Sequence, residues 1–525
     1  MVALLNDAAN ESPEAVAVVD ASGSTSWSAL NDRVNRLVNG LRASGLAEGD
    51  SLVVMIGNQV EFVECSLAAI HGGFLLVPVN WHWTADELAY VLTDAAASAC
   101  IVGEQYRSVA AEAIAAVPEI ASRLLVCLCI EDGGEIDGPF GGYQEFVEAA
   151  NPTEPEGQVR GGPMFYTSGT TGRPKGVRSA LSSIGGPPEV FTLIAHSMRS
   201  VLDLPQNDPV QGICGPLYHS AQWAFAFFAL GCGASLVLQH RFDAAELLQL
   251  VDENAVTNLH LVPTQMVRLL DLNPRVREAF RGAHLHAVLH GAAPCAPSVK
   301  RAMIEWLGPL VSEYYGGTEG GFIAIIAAAD WLDRPGSVGR PTEMMEIVAV
   351  GPDGDLCPPG VAGDLYFRNK MGSDFEYHNA PDKTVSAHRA DGFGTLGDIG
   401  YFDVDGYLFL SDRKIDMIVS GGVNIYPAEI EATLMEHPAV ADVAVFGIPD
   451  FEMGERTLAA IQLREEWSWD ESLESALVAH CRALIAGYKC PKEFLVLEEL
   501  PRSEAGKLLK RTLREPYWAD ENRSI

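Results

Sequence analysis

The sequence predicts an α/β protein: a large N-terminal domain of helix-covered mixed sheets containing a small antiparallel β unit, followed by a small α+β C-terminal domain. Three patterns carry this expectation. Helix-period segments alternate with short β-rich runs over roughly the first 400 residues, which is the signature of parallel strands covered by helices. Between Gly336 and Tyr407 the runs shorten and are punctuated by turn signals. Beyond Ser411 the α/β alternation resumes.

In chain order, Trp27 to Ser44 carries Leu30, Val34, Leu37 and Leu41 on one helical face, a spacing that buries one stripe of a helix. Strand Ser51 to Ile56, helix Gln59 to His71, the apolar run Leu75 to Val79, helix Ala85 to Asp94 and strand Ser98 to Val102 follow. The run Leu124 to Ile130 holds Cys127 and Cys129, which alternate positions on a buried strand account for. Asn151 to Gly162 reads as a surface connection. The period repeats with Ala244 to Asn254, Asn258 to Val262, Pro263 to Leu272 and Leu285 to Leu289. Glu346 to Val350, Gly363 to Phe367 and Tyr407 to Leu410 are short strands separated by Pro352-Asp353-Gly354 and Cys357-Pro358-Pro359-Gly360, which are hairpin material. The C-terminal unit reads as helix Pro427 to Glu436, strand Val440 to Val445, helix Leu473 to Ile485 and strand Glu493 to Leu497. The expected division is 1–412 and 413–525.

Composition bounds the function. The chain has 525 residues, 48% of them apolar, enough for large buried cores. Thirty-six basic against 70 acidic residues leave a net charge of −34, which repels nucleic-acid phosphates and anionic lipid headgroups. Ten cysteines with no Cys-x-x-Cys pair suit reduced thiols in a cytoplasmic protein rather than a disulfide framework. The N-terminus has neither the basic start nor the apolar run of a signal peptide. Ser220 to Gln239 is uncharged and long enough to span a bilayer, but Gly231-Cys232-Gly233 splits it. A buried helix from about Trp223 to Leu230 and a strand Ala234 to Leu238 fit better, so no integral membrane association is expected.

The chemistry concentrates in Tyr166 to Val177, YTSGTTGRPKGV. Thr167, Ser168, Thr170 and Thr171 supply hydroxyl donors, and Gly169 and Gly172 let backbone amides turn toward an anion. Lys175 adds a point charge, so the set suits a triphosphate. It is no P-loop of the Walker type: Pro174 precedes Lys175 and Gly176 follows it, where Gly and Ser or Thr are required.

This segment resembles the phosphate-binding signature of the adenylate-forming superfamily, which holds acyl-CoA synthetases, luciferases and peptide-synthetase adenylation domains. The resemblance covers about Trp27 to Trp518, and further matches fall in the superfamily's order. Pro216-Leu217-Tyr218-His219-Ser220 resembles the gate beside the acyl pocket, and His290-Gly291-Ala292-Ala293-Pro294 the adenine-binding loop. Tyr314-Tyr315-Gly316-Gly317-Thr318-Glu319-Gly320 resembles the Tyr-Gly-x-Thr-Glu segment, and Thr395-Leu396-Gly397-Asp398 the ribose-binding turn. Asp412-Arg413-Lys414-Ile415-Asp416 resembles the hinge, with Ser420-Gly421-Gly422-Val423-Asn424 after it. Pro501-Arg502-Ser503-Glu504-Ala505-Gly506-Lys507 resembles the catalytic-lysine loop. The hinge position is Ile415 here, where the family often has Lys or Asp.

The resemblance implies roles that the residue chemistry supports. Tyr315 and Gly316 would lie against the adenine, with Gly291, Ala292, Ala293 and Pro294 over its other face. Asp398 and Arg413 would bind the ribose. Glu319 would hold magnesium, a hard cation that takes carboxylate oxygens, and Thr318 would donate to the α-phosphate. His219 would stand at the mouth of an apolar pocket. Lys507, in a basic stretch of five cations and one acid between 501 and 514, would bridge carboxylate and α-phosphate. Gly421 and Gly422 would face the pantetheine arm of coenzyme A after the small domain swings about the hinge.

His284, His286 and His290 share one face if the segment is extended, and Cys295 follows beyond the turn. The spacing matches no common zinc pattern, which favours packing over a metal site. Trp223, Phe225, Phe227 and Phe228 follow His219 without a charge, which points to a bulky apolar acid of fatty, terpenoid or steroid-like character. The implied activity is AMP-forming ligation of that acid to coenzyme A, with ATP, magnesium and coenzyme A as reactants and ion. Alternatives are a single half-reaction, transfer of the adenylate to a separate carrier protein, a luciferase-like oxygenase and a non-catalytic nucleotide-binding relative. A homodimer is left open.

Overall fold

The computed structural model describes residues 6–131, 136, 138–167, 173–413, 416–420, 423–451, 453–503 and 508–519. A six-stranded parallel sheet runs in the order Gly141–Gly142, Val126–Ile130, Ala97–Gly103, Ser51–Met55, Leu75–Pro78, Gly162–Pro163. Every residue of Ser51–Met55 and of Ala97–Gly103 is buried, as helices on both faces of a parallel sheet require. Cys127 and Cys129 lie on Val126–Ile130, and all ten cysteines are free thiols.

Local chemistry sets the helix ends. Thr84 and Glu87 form a reciprocal capping box at the start of Ala85–Asp94, and Ser26 caps Trp27–Ala43. From Trp27–Ala43, Arg36, Asn39 and Arg42 donate side-chain hydrogen bonds to carbonyls between Glu148 and Gly157. The surface connection at 151–162 is thereby strapped to the domain.

The second sheet is larger. Val16–Asp20, Ser235–Leu238, Val210–Ile213, Asn258–Leu261, Ala287–His290 and Val311–Gly317 run parallel side by side. Gly321–Ile326, Ser337–Pro341, Leu408–Arg413, Asp398–Phe402, Gly363–Asn369 and Met345–Val350 then continue the same sheet antiparallel. The antiparallel strands expected between Gly336 and Tyr407 are therefore present, and they are hydrogen-bonded into the large sheet through Ile325 and Arg340. Turn residues announce strands, but they do not say which neighbour a strand pairs with. The carboxyl ends of Asn258–Leu261, Ala287–His290 and Val311–Gly317 open on one edge, where open α/β sheets bind ligands.

Ser220–Gly231 is a helix with nine of its twelve residues buried, and Ser235–Leu238 is the following strand. A helix apolar all round belongs in a core. No helix among the described residues is long and apolar enough to cross a membrane.

The C-terminal segment builds its own sheet. Val423–Ile425, Ile418–Ser420, Gly454–Leu463 and Val440–Asp450 are antiparallel, with Glu493–Val496 parallel beside Gly454–Leu463. Helices Pro427–Met435 and Glu471–Leu484 close a core around Ile430, Leu434, Val443, Ile461 and Leu477. Arg464 meets Asp271 of the larger unit at 3.0 Å.

Candidate active site

Phe165–Thr167 and Lys175–Arg178 pair antiparallel, with Thr167 opposite Lys175 and Tyr166 opposite Gly176. Between them Ser168, Gly169, Thr170, Thr171 and Gly172 lie outside the described residues. The base of this hairpin is held from two directions. The Tyr166 hydroxyl donates to Asp94 at 2.6 Å, and the Arg173 guanidinium lies over the Tyr90 ring at 5.1 Å. The short strand Glu376–Tyr377 adds to the far side of Lys175–Arg178.

That addition brings Tyr377 into the site. Its hydroxyl donates to Glu319 Oε1 at 3.1 Å, and Lys175 Nζ lies 5.5 Å from its ring centroid. The phosphate lysine and the metal-candidate glutamate thus meet on one tyrosine. Burial and the neighbouring Lys383 push the Lys175 ammonium below its ordinary range, with Glu319 acting in the opposite direction. An incoming phosphate would reverse that shift. Glu319 Oε1 carries the Tyr377 bond, and no hydrogen bond falls on Oε2 among the described residues. A carboxylate oxygen without a hydrogen bond is a hard donor that fits magnesium.

The segments expected to hold the nucleotide lie together. Tyr315 and Asp398 stand on strands separated by three others, and the Tyr315 hydroxyl donates to Asp398 Oδ2 at 2.7 Å. Asp398 pairs in register with Arg413; the Arg413 side chain lies outside the description. Gly291 lies flat against Tyr314: a Cβ there would sit 2.7 Å from the Tyr314 carbonyl oxygen. Ala292 has φ +64°, a left-handed backbone that costs a non-glycine residue about 1 kcal/mol or more. Strain of this kind concentrates at ligand-binding turns. Ala293 and Pro294 complete that turn. A Cβ on Gly316 would collide with the Gly321 carbonyl, so the segment before Thr318 admits only glycine there.

The side expected to receive the acid begins at His219, which precedes Ser220–Gly231 and remains partly exposed. Buried Asn58 fixes this approach: its amide donates to the Gly215 carbonyl at 2.8 Å and its oxygen accepts from Leu217 N–H at 2.9 Å. The Ser220 and Thr318 hydroxyls share a hydrogen bond of 2.8 Å, which joins the gate to the Thr-Glu segment. Trp223 packs with Phe165, Phe191 and Phe227, and Phe228 with Phe191. Phe225 faces elsewhere, stacked on His260 at 4.2 Å. The aromatic run therefore divides between two buried packing groups, and the second of these is the one with polar side chains. In it Gln222 meets His260 Nδ1 at 2.9 Å, and His260 Nε2 meets the Tyr314 hydroxyl at 3.0 Å. Burial pushes the His260 imidazole down to about 3, and nearby His219 adds to the shift.

The three histidines of 284–290 do not come together. His286 is half-exposed beside Asp203 at 3.4 Å, whereas His290 is buried 3.7 Å from Glu313. Among the described residues no group of three histidine, cysteine or carboxylate side chains could hold a metal ion. His290 instead borders a buried ion pair in which Lys300 Nζ donates to Glu313 at 2.7 Å. Burial pushes the Glu313 carboxyl up and the Lys300 ammonium down, and their mutual attraction opposes both. His290 leads into Gly291 and Glu313 into Tyr314, so this pair floors both nucleotide segments.

Gly421, Gly422, Ile415 and Lys507 lie outside the described residues. Sequence reasoning missed Tyr377, His260, Gln222, Asn58 and Asp94. Each reaches the site through a partner between 38 and 159 residues away in the chain. The one sequence signal was the β-run Asn258 to Val262 with a histidine on it.

With this geometry in place, two family profiles match: AMP-binding enzyme over residues 5–372 and AMP-binding enzyme C-terminal domain over 429–507. The chain belongs to the AMP-binding enzyme family. It is an adenylate-forming enzyme of the acyl-CoA synthetase kind. Among similar proteins, the long-chain-fatty-acid–CoA ligase FadD13 of Mycobacterium tuberculosis is 30% identical over 98% of both chains. The feruloyl-CoA synthase of an Amycolatopsis species is 32% identical over 97% of both. The solved ATP-bound MatB of Rhodopseudomonas palustris superposes with a TM-score of 0.84 at 26% identity, covering 99% of this chain and all of the other. ATP, coenzyme A and a carboxylic acid are the reactants that fit this family.

Proposed function

We propose that the protein joins a bulky, largely apolar carboxylic acid to coenzyme A in two steps through an acyl-adenylate. The observation that carries this reading is the convergence of Lys175, Tyr377 and Glu319 with the Tyr315–Asp398 pair at one sheet edge, beside the gate at His219. In the first step the acid's carboxylate attacks the α-phosphorus of ATP, and pyrophosphate leaves. Thr167 and Lys175, with the hydroxyls and amides of Ser168 to Gly172, would cradle the departing phosphates. Thr318 would donate to the α-phosphate, and Asp398 and Arg413 would fix the ribose. Glu319 would hold magnesium, which when bound neutralises phosphate charge. Lys507 would stabilise charge developing between carboxylate and phosphorus. In the second step the thiol displaces AMP. The segment from 413 onward would then have swung to remove Lys507 and present Gly421 and Gly422 to the pantetheine arm.

The bulk of the acid is supported by the uncharged aromatic run Trp223 to Phe228 that follows His219. The named relatives divide between a long-chain fatty acid and an aromatic one.

The test is to incubate the protein with ATP, magnesium and a panel of apolar acids, with and without coenzyme A, and to identify products by mass spectrometry. AMP and an acyl-CoA from at least one acid are expected. Lys507→Ala should slow pyrophosphate release on the order of a hundred- to thousand-fold, by analogy with loss of an oxyanion donor, and should spare thiolysis of supplied acyl-adenylate. Equal loss of both steps would refute the role given to Lys507. AMP without acyl-CoA would point to a carrier protein as acceptor.

A further inference from the structure

Lys175 stands on the middle strand of a three-stranded sheet whose outer strands are very short. Phe165–Thr167 flanks it on one side and Glu376–Tyr377 on the other. Strands of this length do not hold a register unaided and need another element to pack against. That element is helix Ala85–Asp94, whose Tyr90 and Asp94 lie one turn apart on the same face.

All three strands are fastened to this face. The Tyr166 hydroxyl, on the first strand, donates to Asp94 Oδ2 at 2.6 Å. Just past the third strand, the Asn379 amide donates to Asp94 Oδ1 at 3.2 Å and to the Asp94 carbonyl at 3.1 Å. His378 Nε2 reaches the same carbonyl at 3.0 Å. A carbonyl only accepts, so Nε2 carries the ring proton, and Nδ1 accepts from Arg178 Nε of the middle strand at 3.2 Å. Arg173, just before the middle strand, lies over Tyr90. Burial and the bond to Asp94 push the Tyr166 hydroxyl up, which keeps it a donor.

Two features of this junction run against local preference. Asp94 is the last residue of its helix, where the dipole disfavours a carboxylate. Asn379 has a left-handed backbone at φ +52°, which a Cβ disfavours. Local rules are broken in this way where a site requires it.

We propose that Asp94 is a positioning residue for the phosphates of ATP. By holding both outer strands at one point it sets where Lys175 stands between Thr167 and Tyr377, and through Tyr377 where the Glu319 carboxylate stands. The proposal rests on the phosphate role given to Lys175 above. AMP lacks the departing phosphates, so a loosened anchor weakens ATP and spares AMP, whereas a general loss of structure weakens both.

The test measures Kd by calorimetry for α,β-methylene-ATP, which cannot release pyrophosphate, with magnesium, and for AMP. Asp94→Ala should weaken the analogue about ten- to hundredfold, the range of a lost hydrogen bond to a charged group, and AMP less than about twofold. Asp94→Asn, which keeps one acceptor oxygen, should fall between. Tyr166→Phe keeps the ring and should show the same selective loss at smaller size. Asp94→Ala should then add less in that background than it costs alone, because one tether is already gone. Pyrophosphate release should slow in step with the analogue's affinity, while thiolysis of supplied acyl-adenylate is spared. Equal losses for the two nucleotides, or no loss for the analogue, overturn the proposal. Should Asp94→Ala fail to fold, the Tyr166→Phe measurement decides in its place. Lys175→Ala separates the two readings. An analogue weakened by Lys175→Ala and not by Asp94→Ala would refute the Asp94 assignment alone. An analogue indifferent to Lys175→Ala would refute the phosphate role, and the proposal with it.

Discussion

Replacing Lys300 with methionine removes the cation bonded to the buried Glu313 carboxylate and keeps the side chain's length. Lys300 is fully buried and Glu313 7% exposed, and a buried charge that loses its partner typically costs about 3–5 kcal/mol. The folded variant escapes part of this cost by taking up a proton. Protonating a carboxyl of ordinary pKa near 4.3 at about pH 7 costs about 3.7 kcal/mol, and about 1.4 kcal/mol less for each unit of pH below that. The destabilisation of Lys300→Met is therefore capped near ~3.7 kcal/mol at about pH 7 and near ~1.6 kcal/mol at about pH 5.5. At roughly 2–4 °C per kcal/mol for a unit of this size, Tm should fall by up to about 7–15 °C at the higher pH and about 3–6 °C at the lower. His290, 3.7 Å from the same carboxylate, is a second place for the proton, and the direction of the pH dependence is the same. The sign follows from linkage: the variant's folded state binds one proton more than the wild type's, so its deficit grows as pH rises. Differential scanning fluorimetry across that range measures it. A Tm loss that is independent of pH would refute the coupled ion pair. The double variant Lys300→Met/Glu313→Leu should recover most of the loss, because no charge is then stranded.

Other outcomes follow from single contacts. Asp398→Asn removes the charged acceptor of Tyr315 and, on the proposed roles, of the ribose, so kcat/KM for ATP should fall about 10- to 100-fold, while Tyr315→Phe should cost less than tenfold; in steady-state kinetics at saturating acid, equal losses in the two variants would refute a direct role for Asp398, and no loss in Tyr315→Phe would show the hydroxyl bond to be idle. Ala292→Gly relieves the left-handed strain at φ +64° and should raise stability by about 0.5–1 kcal/mol unless added loop freedom offsets it, read as a Tm shift. His71 and His260 are held down to about 3 by burial, and His290 well down. Their folded pKa values lie below the unfolded value, so stability is present above about pH 6.5 and is lost as pH falls, at about 2 kcal/mol per histidine by about pH 5. A flat Tm between those values would contradict neutral buried rings.

Much of the fold was legible because local patterns decided it. Helix Trp27–Ala43 and strand Ala97–Gly103 follow from periodicity and continuous burial. Gly454–Leu463 was passed over: its first four residues are Gly, Glu, Arg and Thr, and Leu-Ala-Ala-Ile-Gln-Leu has no period-two alternation. The phosphate, adenine and ribose elements were readable as motifs, since each is contiguous. Tyr377 was not, because the strand that positions it is two residues long and pairs with one 200 residues earlier. Nor was the His260 chain. One histidine on an apolar strand looks like packing until Gln222 and Tyr314 are seen on either side of it.

The Ser220–Thr318 hydroxyl bond spans the boundary between the element proposed to receive the acid and the segment proposed to receive the nucleotide. If either ligand draws its hydroxyl away, the other hydroxyl loses its partner in the same event, so neither site changes alone. Binding at the two sites is then thermodynamically reciprocal: whatever factor the acid applies to nucleotide affinity, the nucleotide applies to the acid. Where Ser220 donates this bond, Thr318 keeps its own proton for the α-phosphate; where Thr318 donates it, that proton must first be withdrawn from Ser220. A bond of under 3 Å would thus make one substrate's presence felt in the affinity for the other, whichever arrives first.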